Sequence, residues 1–319
     1  MLLVAPASLD PQGLAAREIA DLWWVMVVLG AVAFVVVAVA LAIGLTRQGA
    51  HDHSADGRDR RIGSDSDAPR RWVLAGGVVL PVVLVAAVLG ATLTSMRTIA
   101  GQEDDAELVV EITGHQWWWE VRYPDLDVVT ANEVHIPVDT PVRLQLRSAD
   151  VIHSFWVPAL AGKMDLLPER ANTLIIDAAR AGTYEGHCAE FCGIQHANMG
   201  LVVVAHEADD FTDWVDRERQ PASPPTGELA RRGADVFVTR GCASCHAIQG
   251  TGARGDDGPD LTHLASRDSI AAGAANNTAP DLRTWITDPH AIKDGVLMPA
   301  TQLDDDEIDA LLAYLRGLR

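Results

Sequence analysis

His187-Cys188-Ala189-Glu190-Phe191-Cys192-Gly193-Ile194-Gln195-His196-Ala197-Asn198-Met199 is the stretch on which the reading of this chain turns. Two cysteines four apart, a histidine four later and a methionine three beyond it form a loop of soft ligands. Such ligands select copper over harder metals. A mononuclear blue-copper loop needs only one cysteine here, so the second suggests two copper ions sharing two bridging sulfurs. Each ion then needs one histidine, and one must come from elsewhere. His153, in Asp150-Val151-Ile152-His153-Ser154-Phe155-Trp156-Val157-Pro158, is the best candidate, at the end of a predicted strand. A disulfide is the competing reading outside the cell, but it explains neither His196 nor Met199. Tetrahedral zinc does not favour methionine. His115, His135, His187 and His206 read as surface or satisfied histidines, His187 being the one to check beside Cys188.

Around this loop lie short β-type runs at 107–117, 119–123, 128–136, 142–146, 172–176 and 201–205, separated by turn residues. They predict an antiparallel sandwich or barrel. In a strand, Trp117 and Trp119 share one face and Trp118 takes the other.

Upstream, residues 22–46 and 72–96 contain no charged side chain. Each exceeds the roughly 20 residues that span a bilayer core as a helix. Trp23, Trp24 and Trp72 sit at the ends as interfacial anchors do, and Pro81 predicts a kink in the second span. The loop 47–71 carries Arg47, Arg58, Arg60, Arg61, Arg70 and Arg71, whereas residues 1–21 carry only Arg17. The positive-inside rule places that loop in the cytoplasm and both termini outside. No basic n-region with a cleavage site precedes Leu22, so a signal peptide is expected to be absent or already removed. No cysteine near the N-terminus offers a lipid anchor.

Downstream, 217–227 is proline-rich with linker composition. Residues 228–240 read as helix and deliver Gly241-Cys242-Ala243-Ser244-Cys245-His246, the Cys-x-x-Cys-His pattern of c-type haem attachment. A thioredoxin-like pair wants a βαβ context that is missing. Met298 is the only methionine after Met199 and the expected sixth iron ligand, with His263 and His290 as alternatives. The closing helix, 304–318, puts Ile308, Leu311, Leu312 and Leu315 on one stripe. Asp304, Asp305, Asp306 and Glu307 at its start suit the macrodipole.

These pieces resemble subunit II of the haem-copper cytochrome c oxidases. The resemblance runs through Gly114-His115-Gln116-Trp117-Trp118-Trp119, the 150–158 segment, the 188–199 loop and the helical hairpin, and covers about residues 20–216. Residues 228–319 are similar to a class I cytochrome c, including Gly258-Pro259-Asp260-Leu261 and Trp285. The resemblance implies a membrane-anchored multidomain protein: an N-terminal segment 1–21, a transmembrane hairpin 22–96, an all-β cupredoxin domain 97–216, the linker 217–227 and an all-α cytochrome c domain 228–319. It implies a dinuclear CuA centre bridged by Cys188 and Cys192, with His153 and His196 each on one copper, and Met199 and the Glu190 carbonyl as weak axial ligands. It also implies a magnesium site shared with subunit I, using the Glu190 side chain near Asp165. Trp117 resembles the tryptophan through which electrons reach the copper, although packing suits it equally. Pro259 is expected on the haem and Trp285 at a propionate.

By that resemblance the chain relays electrons from a donor cytochrome c, through haem c and CuA, to subunit I of a proton-translocating oxidase. Subunit III is a further expected partner, and a bacterial plasma (inner) membrane the expected location. Oxygen chemistry belongs to subunit I, because two spans here hold no suitable histidine set. A nitric oxide reductase subunit is the alternative with the same relay. A tethered copper-delivery protein is disfavoured by Met199, the hairpin and the haem pattern, and a redox sensor lacks a signalling domain. Two departures stand out: Pro168-Glu169-Arg170 replaces the family's Pro-Gly-Arg, and no glutamate feeds a proton channel near 69–73, where Asp67 is the nearest acid.

Charge agrees with this layout. Of the formal −19, −18 falls in residues 97–319, which carry 18 Lys+Arg against 36 Asp+Glu. Such an acidic chain is excluded as a nucleic-acid binder, which needs clustered basic residues. An acidic outer surface is suited to steering a basic donor, although solubility alone accounts for much of that charge.

Overall fold

The computed structural model describes residues 9–49 and 67–319. Most of the expected cytoplasmic loop 47–71, with Arg58, Arg60 and Arg61, lies outside the described residues. Two bodies are present, one formed by residues 17–100 and the other by 9–16 together with 101–319.

The first body is helical: α1 (Leu14–Gly49), α2 (Asp67–Leu74) and α3 (Leu80–Ala100). Leu14–Thr46 and Arg70–Glu103 are both long and apolar enough to cross a membrane. Their valine and leucine side chains stand exposed, as lipid-facing residues do. Both helices outrun the predicted spans, because backbone bonding continues into the polar flanks. Just before Pro81, where a kink is expected, stands a π turn, Ala75–Val79, containing Gly76 and Gly77. Proline cannot donate to the carbonyl one turn back and its ring crowds it, and the widened turn accommodates both.

The second body contains two five-stranded sheets face to face. One has the order β3 (Val128–Ala131), β2 (Trp118–Tyr123), β1 (Leu108–His115), β5 (Val142–Ser148), β8 (Asn172–Ile176). The other runs β4 (Glu133–Pro137), β10 (Gly200–His206), β9 (Gly182–Cys188), β6 (His153–Trp156), β7 (Met164–Leu166). Inward residues alternate along the strands, so Val110, Ile112, Leu144, Leu146, Phe155 and Val203 are fully buried. The sheets are mixed rather than purely antiparallel: β1 pairs with β5, and β4 with β10, in parallel. The predicted 128–136 run is two strands, broken at Asn132, whose φ of 64° turns the chain into the other sheet. The predicted 107–117 strand ends at His115; Trp117 lies in the turn to β2, so it does not alternate with Trp119, yet both are buried.

The two segments bordering the helical body are tied to this sandwich. Gln12 and Gly13 donate their amides to Ala159 O, at 2.7 and 3.0 Å, and Ala179 N donates back to Gln12 O. Buried Asp177 accepts from Leu14 N (2.9 Å) and from Gln102 Nε2 (3.2 Å). A Cβ on Gly13 would meet Leu160 O at 2.1 Å, so only glycine fits.

After β10, α4 (Ala208–Glu218) presses Trp214 onto His135, ring on ring at 4.2 Å, beside Tyr123 and His206. Helix continues to Glu218, inside the stretch read as linker. Beyond it stand α5 (Gly227–Thr239), β11 (Ser269–Ile270), β12 (Ala275–Asn276), α6 (Ala279–Thr287) and α7 (Asp305–Leu315). Phe237, Ile248, Leu264, Leu282, Ile286, Leu311 and Leu315 form one core. The small β11–β12 hairpin departs from an all-α segment. Helices α5 and α7 approach so closely that a Cβ on Gly233 would lie 2.0 Å from Ala310 O. Asp304 caps α7 reciprocally with Glu307, so that acidic run has a hydrogen-bonding role besides its dipole placement.

Candidate metal and haem sites

Strand β9 carries Cys188 to its end, and a loop with a short 3₁₀ turn returns the chain to β10. That return folds the soft side chains inward. Cys188 Sγ and Cys192 Sγ lie 3.8 Å apart, well beyond the roughly 2.05 Å of a disulfide. His196 Nδ1 and Met199 Sδ each lie 3.8 Å from Cys192 Sγ. His153 Nδ1, delivered by the first residue of β6, is 4.0 Å from Cys188 Sγ, and the Glu190 carbonyl is 3.2 Å from it. His153, Cys188 and Cys192 form a buried ligand group of the kind that holds a metal ion. The sulfurs sit between the two imidazoles, a donor set suited to soft metal.

Second partners fix this constellation. Asp150 Oδ1 lies 2.7 Å from His153 Nε2, which leaves Nδ1 aimed at the sulfurs. Burial alone lowers the His153 pKa, but hydrogen bonding to Asp150 and then to Cys188 raises it overall. The Cys188 thiol is pulled well down, first by the Cys192 thiol beside it, against its own burial, and then by His153. Cys192 is pushed up by its charged neighbour. Gln116 Nε2 and Trp117 Nε1 both donate to the Cys192 carbonyl, at 2.7 and 3.0 Å. Trp117, 7% exposed, thus lies directly against the 188–199 loop. Sequence reasoning assigned no role to Asp150 or Gln116. An acid three residues before His153 was the available signal for the first; nothing signalled the second.

Lys163 Nζ stands between Asp165 (3.1 Å) and Glu190 (3.3 Å), so these two carboxylates do converge, on an ammonium. His187 is exposed, in agreement with its surface reading. His135 is buried, with Nδ1 2.8 Å from His206 Nε2, a satisfied pair.

In the C-terminal segment a 3₁₀ turn at Cys242–Ser244 follows α5, after Gly241 in the left-handed region at φ 83°. Both thiols are half-buried and free. His246 Nδ1 lies 2.8 Å from Pro259 O, leaving Nε2 for a ligand. Burial lowers the His246 pKa, which keeps the ring neutral as a metal ligand must be. A Cβ on Gly258 would stand 2.7 Å from His246 Cε1, so the Gly258-Pro259 backbone packs directly on the imidazole. His263 Nε2 is committed to the carbonyls of Gln220 (3.0 Å) and Glu218 (3.2 Å). His290 Nδ1 accepts from Gly295 N. Met298 is half-buried in the loop before α7, and Trp285 packs against the core. Thiol pair, oriented imidazole and apolar core fit a covalently held haem.

The profile of "Cytochrome C oxidase subunit II, periplasmic domain" matches residues 127–206, and that of "Cytochrome c" matches 230–319. The cytochrome c oxidase subunit 2 of Alkalihalophilus pseudofirmus is 33% identical, over 98% of this chain and 90% of that protein. The chain belongs to the cytochrome c oxidase subunit II family. Subunit 2 of Bacillus subtilis is likewise 33% identical, over 76% of this chain and 70% of that one. The solved periplasmic domain of subunit II of cytochrome oxidase from Bradyrhizobium japonicum is 34% identical and covers 36% of this chain and 94% of its own, with a TM-score of 0.35. This subunit II thus has membrane-capable helices, a cupredoxin-type sandwich and a cytochrome c domain, the last two implying copper and haem c.

Proposed function

We propose that this subunit II carries electrons from a donor cytochrome c through haem c and a dinuclear CuA centre to the haem-copper centre of subunit I. The observation that carries this reading is the pair of sulfurs 3.8 Å apart, flanked by His153 Nδ1, His196 Nδ1, Met199 Sδ and the Glu190 carbonyl. Cys188, Cys192, His153 and His196, with Met199 and the Glu190 carbonyl, would hold two coppers. Cys242 and Cys245 would bind haem through thioethers, His246 and Met298 its iron, with Pro259 and Trp285 against the ring. The engagement of His263 with two backbone carbonyls supports Met298 as sixth ligand. When bound, these groups supply one-electron redox chemistry.

The chain's own residues supply geometry. A loop held on a rigid sandwich keeps its donors in one arrangement, which limits reorganisation when charge arrives. Asp150 fixes the His153 ring, and Gln116 and Trp117 hold the Cys192 carbonyl. Trp117 is the residue through which electrons reach the copper loop. Glu190 and Asp165 are suited to a cation shared with subunit I, here neutralised by Lys163, which a magnesium ion would have to displace. Subunit III completes the expected complex. The arginines of 47–71 favour a cytoplasmic loop, with both redox segments outside a bacterial inner membrane.

Visible and near-infrared absorption of the purified chain tests the reading. A mixed-valence copper band with two coppers per chain, beside a low-spin haem c spectrum, is expected. One copper per chain, or haem removable without breaking thioethers, overturns the corresponding half. Met298→Ala should leave haem attached and change its axial ligation; an unchanged spectrum assigns that role elsewhere.

A further inference from the structure

The chain has 23 arginines and only two lysines, and both lysines stand beside the copper loop. Lys163 is exposed and bridges Asp165 and Glu190. Lys293 is different: it is 1% exposed, and no ion pair to it is found among the described residues. Its ammonium donates to Trp117 O, in the sandwich, at 2.7 Å and to Ala271 O, in the loop between β11 and β12, at 3.0 Å. One buried side-chain nitrogen therefore joins two segments of the cytochrome c part to the turn that supports Cys192. Burying it is costly, and its pKa falls to about 7 through desolvation. A compact ammonium can point separate donors at two carbonyls, which a planar guanidinium fork does less readily.

Neighbouring contacts converge on the same few residues. Gln195, buried in the copper loop, donates Nε2 to Asp294 O at 2.7 Å. Gly295, at φ 73°, lies against Ile194: a Cβ there would be 2.4 Å from Ile194 Cδ1. Gly200 N, one residue beyond Met199, donates to Ala272 O at 2.9 Å. The 293–295 segment leads within three residues to Met298.

We propose that Lys293, assisted by Gln195, is a positioning residue that clasps the loop leading to Met298 onto Trp117 and the copper loop, so that haem and copper segments meet in one fixed geometry within a single chain. This deepens the relay reading and rests on it. Trp117, held through its carbonyl by Lys293, is 7% exposed and leaves little surface for a soluble donor to dock on.

The test uses the full-length chain in detergent, wild type and Lys293→Met. One-electron redistribution from ferrous haem, which becomes ferric, to the oxidised copper centre, which gains that electron, is timed after flash reduction. Midpoint potentials and absorption of both centres are recorded, and amide hydrogen exchange is followed at 271–273 and 293–295. K293M is expected to keep spectra and potentials, to transfer electrons measurably more slowly than the wild type, and to lose protection in both segments. Wild-type transfer and wild-type protection in K293M overturn the clasp. Should K293M not accumulate, Gln195→Leu decides, with the same slowing and loss of protection near 294 expected and unchanged values counting against it. A wild-type chain lacking the copper band or the haem c spectrum refutes the relay instead, and exchange on the metal-free chain still decides the clasp.

Discussion

Asp150 and His206 show how single side chains set this molecule's chemistry and its acid limit. Asp150 touches no sulfur; it holds His153 Nε2 at 2.7 Å and also accepts the amides of Gln116 and Val151. Asp150→Ala should leave the sandwich folded and weaken copper binding about 10–100-fold, the usual cost of losing a partner that orients a ligand. A copper titration read at the near-infrared band checks this, and an unaltered affinity would remove Asp150 from the site. His206 lies against Trp214 and His135, with Asp210, Arg217 and Glu133 the charged groups around the pair. Burial, and then the His135 charge, pull its pKa from 6.5 down to about 4. The folded chain keeps the ring neutral where the unfolded chain protonates it. Its contribution to stability is therefore whole above about pH 6.5, falls as pH drops toward 4, and is exhausted below that. The thermal midpoint should decline across that window, and His206→Gln should flatten the decline; an equally steep fall in the variant sinks the assignment.

At the scale of elements, the crossing of α5 and α7 depends on Gly233 having no side chain. Gly233→Ala should force the helices apart and destabilise the C-terminal segment by about 1–3 kcal/mol or more, as overpacking does. Thermal loss of the haem spectrum, at a lower temperature than in the wild type, is the expected sign. The elements differ in how much of them could be read from sequence. α7 was legible because Ile308, Leu311 and Leu315 repeat at helical spacing and are all buried. The convergence of Cys188, Cys192, His196 and Met199 was legible because their short spacing brings them together. β7 and β9 were missed, and His153, read as the end of a strand, is the first residue of β6. β6 and β9 mix in His, Ser, Gly or Glu and β7 is only three residues long, so neighbours far along the chain decide their place in a sheet. Trp117 was assigned to a strand because a run of β-formers continues through it. What sets its place is the Cys192 carbonyl, 75 residues away. Lys293 gave no signal, since its burial depends on a partner 176 residues earlier.

Taken whole, the second body joins copper and cytochrome c segments through buried contacts but presents an acidic exterior to solvent. Salt screens exposed charges beyond roughly 8–10 Å and acts far less on buried ones. Raising ionic strength should therefore slow delivery of electrons by a basic cytochrome, while transfer from haem to copper inside the chain stays constant. Stopped-flow and flash measurements on the same preparation separate the two; a salt-dependent internal rate would refute the buried docking. The ties at Gln12, Gly13 and Asp177 have a consequence for biogenesis. The sandwich closes on residues made before the hairpin and residues made after it, because Ala179 N and Ala159 O pair with 12–13 while Gln102 shares Asp177 with Leu14. With the hairpin spanning a bilayer, as proposed above, these stitches form only once the segment before the hairpin reaches the side on which the segment after it folds. Delivery of residues 9–16 to that side becomes a checkpoint that maturation must pass before the folded domain can be completed.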